Sequence, residues 1–299
     1  MKTLKTLSFT AVACAYGLIV LGAVVRITDA GLGCGDDWPL CNGRLIPPLE
    51  DTKAVLEWTH RLVALALSAV TVLVAAVAVR NRRLLGGSGP DGTLRPALTA
   101  AVLLVVQVLL GAVTVWLELP PISVVLHLGV AMALLAALLV TGLRTGCARQ
   151  ATSLARGSIT SAAGLALAVI LLGGLTANLG AGPSCQGFPL CNGQIWPSSG
   201  GSGLPHVHWM HRLLAYALFL HLIGVSIGLR KRTVPDRLRT VVWTALGITI
   251  AQVIVAAAMV LSYLPPVWRG VHVAVGTAVW VALVYAVWLV SAKGERVVA

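Results

Sequence analysis

The chain has 299 residues, of which 58% are hydrophobic and 11% charged, with a mean hydropathy of +0.90. Soluble domains carry roughly 25% charged residues, so this composition excludes an ordinary soluble domain and indicates an integral membrane protein. A net charge of +12 can also indicate nucleic-acid binding. Here the basic residues instead follow a membrane-topology pattern, described below, and we expect no nucleic-acid partner.

Eight apolar runs are each long enough for a membrane-spanning helix, which needs about 20 residues. In chain order they lie at 7–27, 54–79, 97–117, 123–143, 158–178, 206–229, 240–263 and 268–291. The first follows two lysines, as in a signal peptide, but it continues to Val25, beyond the usual apolar region of about 7–15 residues. We therefore interpret it as a retained first helix. Since eight spans use nearly the whole chain, we predict an all-α membrane protein without a separate soluble domain.

The charged residues predict the orientation of these spans. One predicted side holds 16 of the 22 basic residues: Lys2, Lys5, Arg80, Arg82, Arg83, Arg95, Arg144, Arg149, Arg156, Arg230, Lys231, Arg232, Arg237, Arg239, Lys293 and Arg296. The other side holds the acidic residues Asp29, Asp36, Asp37, Glu50, Asp51 and Glu118. Basic loops favour the cytoplasmic side of a membrane. This pattern places both termini in the cytoplasm and the cysteine loops on the outer face of the cell membrane.

The second half of the chain repeats the first. The segment "CGDDWPLCNG" at 34–43 returns as "CQGFPLCNG" at 185–193. The segment "QVLLGAVTVWLELPP" at 107–121 returns as "QVIVAAAMVLSYLPP" at 252–266. Matches that keep their order along both halves indicate a duplication of one four-helix unit.

The duplication predicts two tandem four-helix bundles, 1–146 and 147–299. Each bundle crosses the membrane an even number of times, so both halves have the same orientation. Parallel repeats of this kind are related by an axis along the membrane normal. We therefore predict pseudo-two-fold symmetry about that axis.

Four histidines occupy matching positions in the two bundles. His60 and His211 lie in the first turns of spans two and six, and His127 and His272 begin spans four and eight. Polar groups within spans are candidates for function, and four-helix bundles build cofactor sites from side chains on facing helices. Two imidazoles per bundle are too few for zinc, which takes about four ligands. They suit the two axial positions of a haem iron.

The neighbours of these histidines suggest different roles for the two halves. Arg61 and Arg212 directly follow a histidine and are candidates to contact haem propionates; the alternative is that they extend toward lipid headgroups. Glu57 lies one turn before His60, while the matching residue of the second half is His208. A carboxylate there is either a helix-end charge favoured by the dipole or an acid/base group beside a bound substrate. The second interpretation makes one half a reactive site and the other a cofactor site.

Two cysteine pairs, Cys34 with Cys41 and Cys185 with Cys191, lie in the predicted outer loops. Disulfides form and persist outside the cytoplasm, and we interpret both pairs as bonds that close short loops over the bundle mouths. Neither pair has the C-x-x-C spacing of redox-active thiols. A redox role for Cys34–Cys41 is the alternative interpretation.

These residues together resemble the haem A synthase family. The segments "GLGCGDDWPLCNG" and "EWTHR", the paired "LPP" turns with their histidines and the eight-span duplication carry the resemblance over essentially the full chain. It implies that His60 and His127 engage a substrate haem and that His211 and His272 ligate a haem b cofactor through its iron. It also implies that Glu57 is the catalytic carboxylate. Only part of the family has the second cysteine pair, and a structural staple explains both pairs equally.

The implied activity is oxidation of the C8 methyl group of haem O to a formyl group, through a hydroxymethyl intermediate, which gives haem A for cytochrome oxidases. The implied partners are the lipid bilayer, a haem O synthase that delivers the substrate, and an electron acceptor. A homo-oligomer is compatible with the resemblance.

Two other functions stay open at this point. A non-enzymatic dihaem b-type cytochrome that relays electrons from quinol explains the four histidines, although it gives Glu57 no role. A quinone-linked disulfide oxidase explains the outer cysteines but predicts no haem. A haem polyprenyl transferase is disfavoured because no D-x-x-x-D-type motif is present. A transporter is disfavoured because no span carries an acidic residue at mid-membrane.

Overall fold

The computed structural model describes residues 2–83, 92–146, 155–198 and 201–290. Three basic residues used in the topology prediction, Arg149, Lys293 and Arg296, lie outside the described residues. The predicted domain boundary, between residues 146 and 147, adjoins 147–154, which is also outside them.

The described residues form eight long α-helices and no named strand, which confirms the all-α prediction. The helices are α1 Lys2–Ile27, α2 Thr52–Arg80, α3 Leu94–Trp116, α4 Pro121–Gly146, α5 Arg156–Asn178, α6 Leu204–Arg230, α7 Asp236–Leu261 and α8 Pro266–Val290. A short 3-10 helix, Gly182–Ser184, precedes the second cysteine loop. Each predicted run corresponds to one α-helix, and all eight are long and apolar enough to cross a membrane. The protein is therefore a multi-pass membrane protein by helix length and composition.

Capping residues explain why several helices begin before their apolar runs. The Asp51 carboxylate accepts hydrogen bonds from the backbone N–H groups of Lys53 and Ala54, both at 3.1 Å, and so caps α2. Helices α4 and α8 begin at Pro121 and Pro266, a position where the missing N–H of proline costs nothing. These polar first turns escape a search for hydrophobic residues alone.

The chain divides into two compact units, one with α1–α4 and one with α5–α8. In the first unit each helix packs against the next, and α1 also packs against α4, which closes a four-helix bundle. The second unit repeats this arrangement, with α5 packed against α8. The predicted symmetry axis between the halves stays a prediction.

A close contact brings both loops of each bundle to the same end. In the α3–α4 turn, Glu118 and Leu119 have φ angles of 58° and 62°. Gly31, in the loop after α1, lies so near that an added Cβ would be 2.7 Å from Leu119 Cδ1. The second unit repeats the contact with Gly182 and Leu264, at 3.1 Å. We call this the histidine end of each bundle, because it carries two of the four predicted site histidines and one cysteine loop.

Candidate functional site

The cysteine loops pack against the first turns of α2 and α6. Disulfides join Cys34 to Cys41 and Cys185 to Cys191. The first disulfide is buried against Trp58, and the second forms a buried cluster with the equivalent Trp209, whose residue is 3% exposed. The loops are therefore part of the packed histidine end of each bundle.

In the first unit, Arg61 links the loop to α2. Its guanidinium donates hydrogen bonds to the backbone oxygens of Asp37, at 2.8 Å, and Leu40, at 2.6 Å. It also forms an ion pair with Glu57 one turn earlier, at 2.5 Å. The other carboxylate oxygen of Glu57 accepts a hydrogen bond of 2.9 Å from the backbone N–H of Cys34. Glu57 is only 4% exposed, so this is a buried polar network that ties the disulfide loop to α2.

In the second unit, Arg212 occupies the same place without a carboxylate. Its guanidinium donates to three loop carbonyls, those of Cys185, Gly187 and Leu190, at 2.5–2.8 Å. Its Nε donates to Nε2 of His208, at 3.2 Å, and Nδ1 of His208 donates to the backbone oxygen of Ala181, also at 3.2 Å. Non-helical backbone within a membrane protein needs internal hydrogen-bond partners, and the two arginines supply them. The prediction that Arg61 and Arg212 contact haem propionates stays a prediction.

The histidines of α6 and α8 come together in the second unit. The ring centres of His211 and His272 are 6.4 Å apart. Two imidazoles on opposite sides of one metal, with metal–nitrogen bonds of about 2 Å, have ring centres roughly 6 Å apart. Nδ1 of His211 lies 3.1 Å from the backbone oxygen of Val169 and donates to it, which leaves Nε2 free for a metal. This pair therefore fits the two axial ligands of a haem iron.

A glycine on α5 makes room for His211. A Cβ added to Gly173 would lie 2.7 Å from Cε1 of the ring, too close for a real contact. His272 is in turn held by Gln252 on α7, whose Nε2 lies 3.1 Å from Nδ1 of the ring and 3.0 Å from the His272 backbone oxygen. Both imidazoles of the second unit are thus anchored by neighbouring helices.

The first unit holds one of its two histidines, His60, more loosely. Nε2 of Gln107 donates to Nε2 of His127, at 3.0 Å, and an added Cβ on Gly111 would lie 3.2 Å from Cε1 of that ring. Gly22 lies beside His60, with its added Cβ 3.1 Å from Nε2, as Gly173 does beside His211. Among the described residues, however, no hydrogen bond anchors the His60 ring as Val169 anchors His211.

Helix geometry places His60 and His211 far from the arginines that end their own helices. His60 lies 20 residues before Arg80, and His211 lies 19 residues before Arg230. At 1.5 Å per residue these separations are about 30 Å, the thickness of the hydrocarbon layer. With the arginines at one surface, the histidines lie close to the other.

The remaining histidines have other contacts. The His206 ring stacks on Trp196, with centres 5.4 Å apart. Nε2 of His221 lies 2.8 Å from the backbone oxygen of Ser158 and 3.0 Å from Oγ of Ser161. Neither contact involves one of the four predicted site histidines.

Sequence reasoning missed the two glutamines as partners of the site histidines. In each half a glutamine precedes the histidine by 20 residues, at Gln107 and Gln252. Two amides repeated at one spacing within apolar spans were the available signal. It was used only to align the halves, because periodicity does not tell which side chains of neighbouring helices meet.

Comparison with known proteins agrees with these features. A family model described as "Cytochrome oxidase assembly protein" (COX15-CtaA) matches residues 5–284. A protein named "Heme A synthase" from Symbiobacterium thermophilum is 34% identical, in an alignment that covers 100% of this chain and 99% of that protein. Proteins of the same name from Alkalihalophilus pseudofirmus and Shouchella clausii are 31% and 29% identical over 81% and 92% of this chain, and over 82% and 92% of their own lengths. The eight helices, the histidine pairs and these matches together assign the chain to the COX15-CtaA family of cytochrome oxidase assembly proteins.

Proposed function

We propose that this protein is a haem A synthase, which oxidises the C8 methyl group of haem O to a formyl group. The observation that carries the proposal is the separation of His211 and His272, which suits two axial ligands of one iron. The name of the full-length relatives supports it independently. His211 and His272 would hold a resident haem b, which would supply one-electron transfer when bound.

In this proposal the first unit binds the substrate and the second unit binds the cofactor. In the second unit both rings are anchored, His211 by Val169 and His272 by Gln252. Anchored ligands suit a cofactor that stays bound. In the first unit the ring of His60 has no such anchor among the described residues, which suits a substrate that must enter and leave. His60 and His127 therefore bind haem O.

The reaction consists of two successive two-electron oxidations at one carbon. The methyl group becomes a hydroxymethyl group and then a gem-diol, which loses water to give the aldehyde. When water supplies the oxygen, the overall change releases four electrons and four protons. The electrons pass to an acceptor, and the protons need a base beside the substrate.

Glu57 is the base in this proposal. It is the one acidic side chain of α2, and its position one turn before His60 places it on the same face of the helix as that ligand. Each carboxylate oxygen can accept two hydrogen bonds, and each accepts one here, from Arg61 or from Cys34. Glu57 therefore keeps capacity to accept a proton while it holds the loop in place.

The charge pattern of the sequence and the family resemblance support the following surroundings for this function. Both termini lie in the cytoplasm and the histidine ends face outward, in the cell membrane. A haem O synthase delivers the substrate, and assembly into homo-oligomers is compatible with the fold. Arg61 and Arg212 lie beside the haem sites, where a remaining guanidinium N–H can meet a propionate.

Haem extraction tests the function. The purified protein, made with and without a supply of haem O, is extracted, and its haems are separated and weighed by mass spectrometry. We expect haem b alone without haem O, and hydroxymethyl- and formyl-haem in addition when haem O is supplied. Haem b alone under both conditions would instead identify an electron relay, and Glu57 would then be a helix-end charge.

The close approach at Gly173 gives a second prediction. In Gly173→Ala the new methyl group displaces His211, so we expect at least a tenfold loss of bound haem b, measured from the absorbance of the purified protein. Gly164→Ala is the matched control, since Gly164 lies on the same helix with nothing within 4 Å of its added Cβ. Alanine favours a helix over glycine by about 1 kcal/mol, so both variants should insert and fold. Equal haem content in the two variants would contradict the placement of His211 at a haem site.

A further inference from the structure

The two histidine ends carry opposite charge. The first contains seven carboxylates, Asp29, Asp36, Asp37, Glu50, Asp51, Glu57 and Glu118. Against them stand four basic side chains, Arg26, Arg44, Lys53 and Arg61, which gives a net charge of −3. The second contains Arg212 and Arg269 and no acidic residue between 156 and 230 or between 252 and 290, which gives +2. The duplicated halves have therefore diverged in charge while they kept the same histidines.

The difference in charge between the two histidine ends is clearest among their buried side chains. In the first unit the Arg61 cation is paired with the Glu57 carboxylate, and the side chains of these residues are 15% and 5% exposed. In the second unit Arg212 is 6% exposed, and within the described part of the chain it bonds only to carbonyl oxygens and to His208. Exposed charges are screened by salt, whereas buried charges are screened much less. Arg212 thus dominates the electrostatics of its site.

The hydrogen bonds also fix the charge of His208. Its Nε2 accepts from Arg212, so that nitrogen carries no proton, and its Nδ1 donates to Ala181. The ring is therefore neutral. Arg212 directly follows the candidate ligand His211 in the chain. No carboxylate among the described residues neutralises its positive charge.

We propose that Arg212 is a potential-setting residue, which makes the His211–His272 site the better electron acceptor of the two. This inference rests on the proposed function. A site that accepts an electron loses one positive charge, so a nearby buried cation favours its reduced form. In the first unit Glu57 cancels that effect of Arg61. Electrons removed from a substrate at His60 and His127 then have a downhill acceptor in the second unit. The direction of electron transfer follows from the difference between Glu57 in the first half and His208 at the equivalent position of the second.

The redox potential of the resident haem tests this inference directly. The full-length protein is purified without a haem O supply, and its midpoint potential is measured by spectroscopic titration. His208→Glu places a carboxylate beside Arg212, as in the first unit, and His208→Gln is the neutral control of the same size. For a charge within roughly 10 Å and an effective dielectric constant of about 20, we expect the ratio of reduced to oxidised haem at fixed potential to fall about tenfold in His208→Glu. The control should stay within about twofold of the parent protein.

Salt and a second variant complete the test. The shift should persist at high ionic strength, because the pair is buried; a shift that disappears assigns the effect to exposed charges and overturns the role of Arg212. Arg212→Gln, with its haem content verified, should lower the ratio as well. Unchanged potentials in both His208→Glu and Arg212→Gln would overturn the inference.

The proposed function fails in a different way. If the parent protein binds no haem, or if His211→Ala keeps its haem with an unchanged spectrum, the ligand assignment is wrong. If haem is present and is lost in His211→Ala while the charge variants keep the parent potential, only the inference about Arg212 is wrong.

Discussion

Glu57→Gln should abolish formation of the aldehyde while the protein still binds both haems. A positioned general base contributes about 10²–10⁴-fold to a rate, so we expect formyl-haem to fall by that factor. Haem O should then accumulate in the purified protein, since His60 and His127 are untouched. The measurement is chromatography and mass analysis of extracted haems at several times after haem O is supplied.

A structural role of Glu57 must be separated from a chemical one, because its carboxylate also holds the cysteine loop through Cys34 and Arg61. Arg61→Gln loosens the same network but keeps the carboxylate. Glu57→Asp keeps the charge on a shorter side chain. We expect Glu57→Gln to lose far more activity than either variant. Because Arg61 is also a candidate propionate contact, the variants are compared at equal content of bound haem O. An equal loss in Arg61→Gln under that condition would show that Glu57 acts by holding the loop, and full activity in Glu57→Gln would exclude it as the base.

The fold was largely predictable because membrane helices need long apolar runs. All eight helices follow from that pattern. Their ends did not, since the caps are polar: Asp51 starts α2 two residues before the apolar run does. The structure of the loops between helices could not be predicted either, because contacts such as that of Gly31 with Leu119 join segments that are distant in sequence.

The site was predictable only in part, and the reason lies in the duplication. A histidine that recurs in both halves stands out, so the four histidines that the structure places at the histidine ends could be named from sequence, while their role as ligands stays a prediction. The hydrogen bonds of Arg61 and Arg212 to loop carbonyls could not be predicted. Every residue has a backbone carbonyl, so the sequence does not indicate which carbonyls accept a hydrogen bond. The pairing of Glu57 with Arg61 did have a signal, their spacing of four residues on one helix.

The division between substrate and cofactor sites leads to a prediction of comparable size. His272→Ala should remove the resident haem, whereas the equivalent His127→Ala should keep it and lose conversion of haem O. The reason is that each variant removes one of two axial ligands from only one bundle. Without a haem O supply, we expect His272→Ala to retain less than a tenth of the parent haem b, measured by absorbance of the reduced protein, and His127→Ala to retain nearly all of it.

His221→Ala is the control for the loss of a partly buried histidine, because its ring bonds to Ser158 rather than to a ligand pair. It should keep both haem b and activity. Loss of haem b in His127→Ala but not in His272→Ala would reverse the roles of the two units. Electrons would then have to leave the more positive site, which would contradict the charge argument. Equal loss in both variants would mean that both bundles hold resident haems, as an electron relay requires. The comparison of two equivalent residues thus decides whether the duplicated halves share one task or divide it.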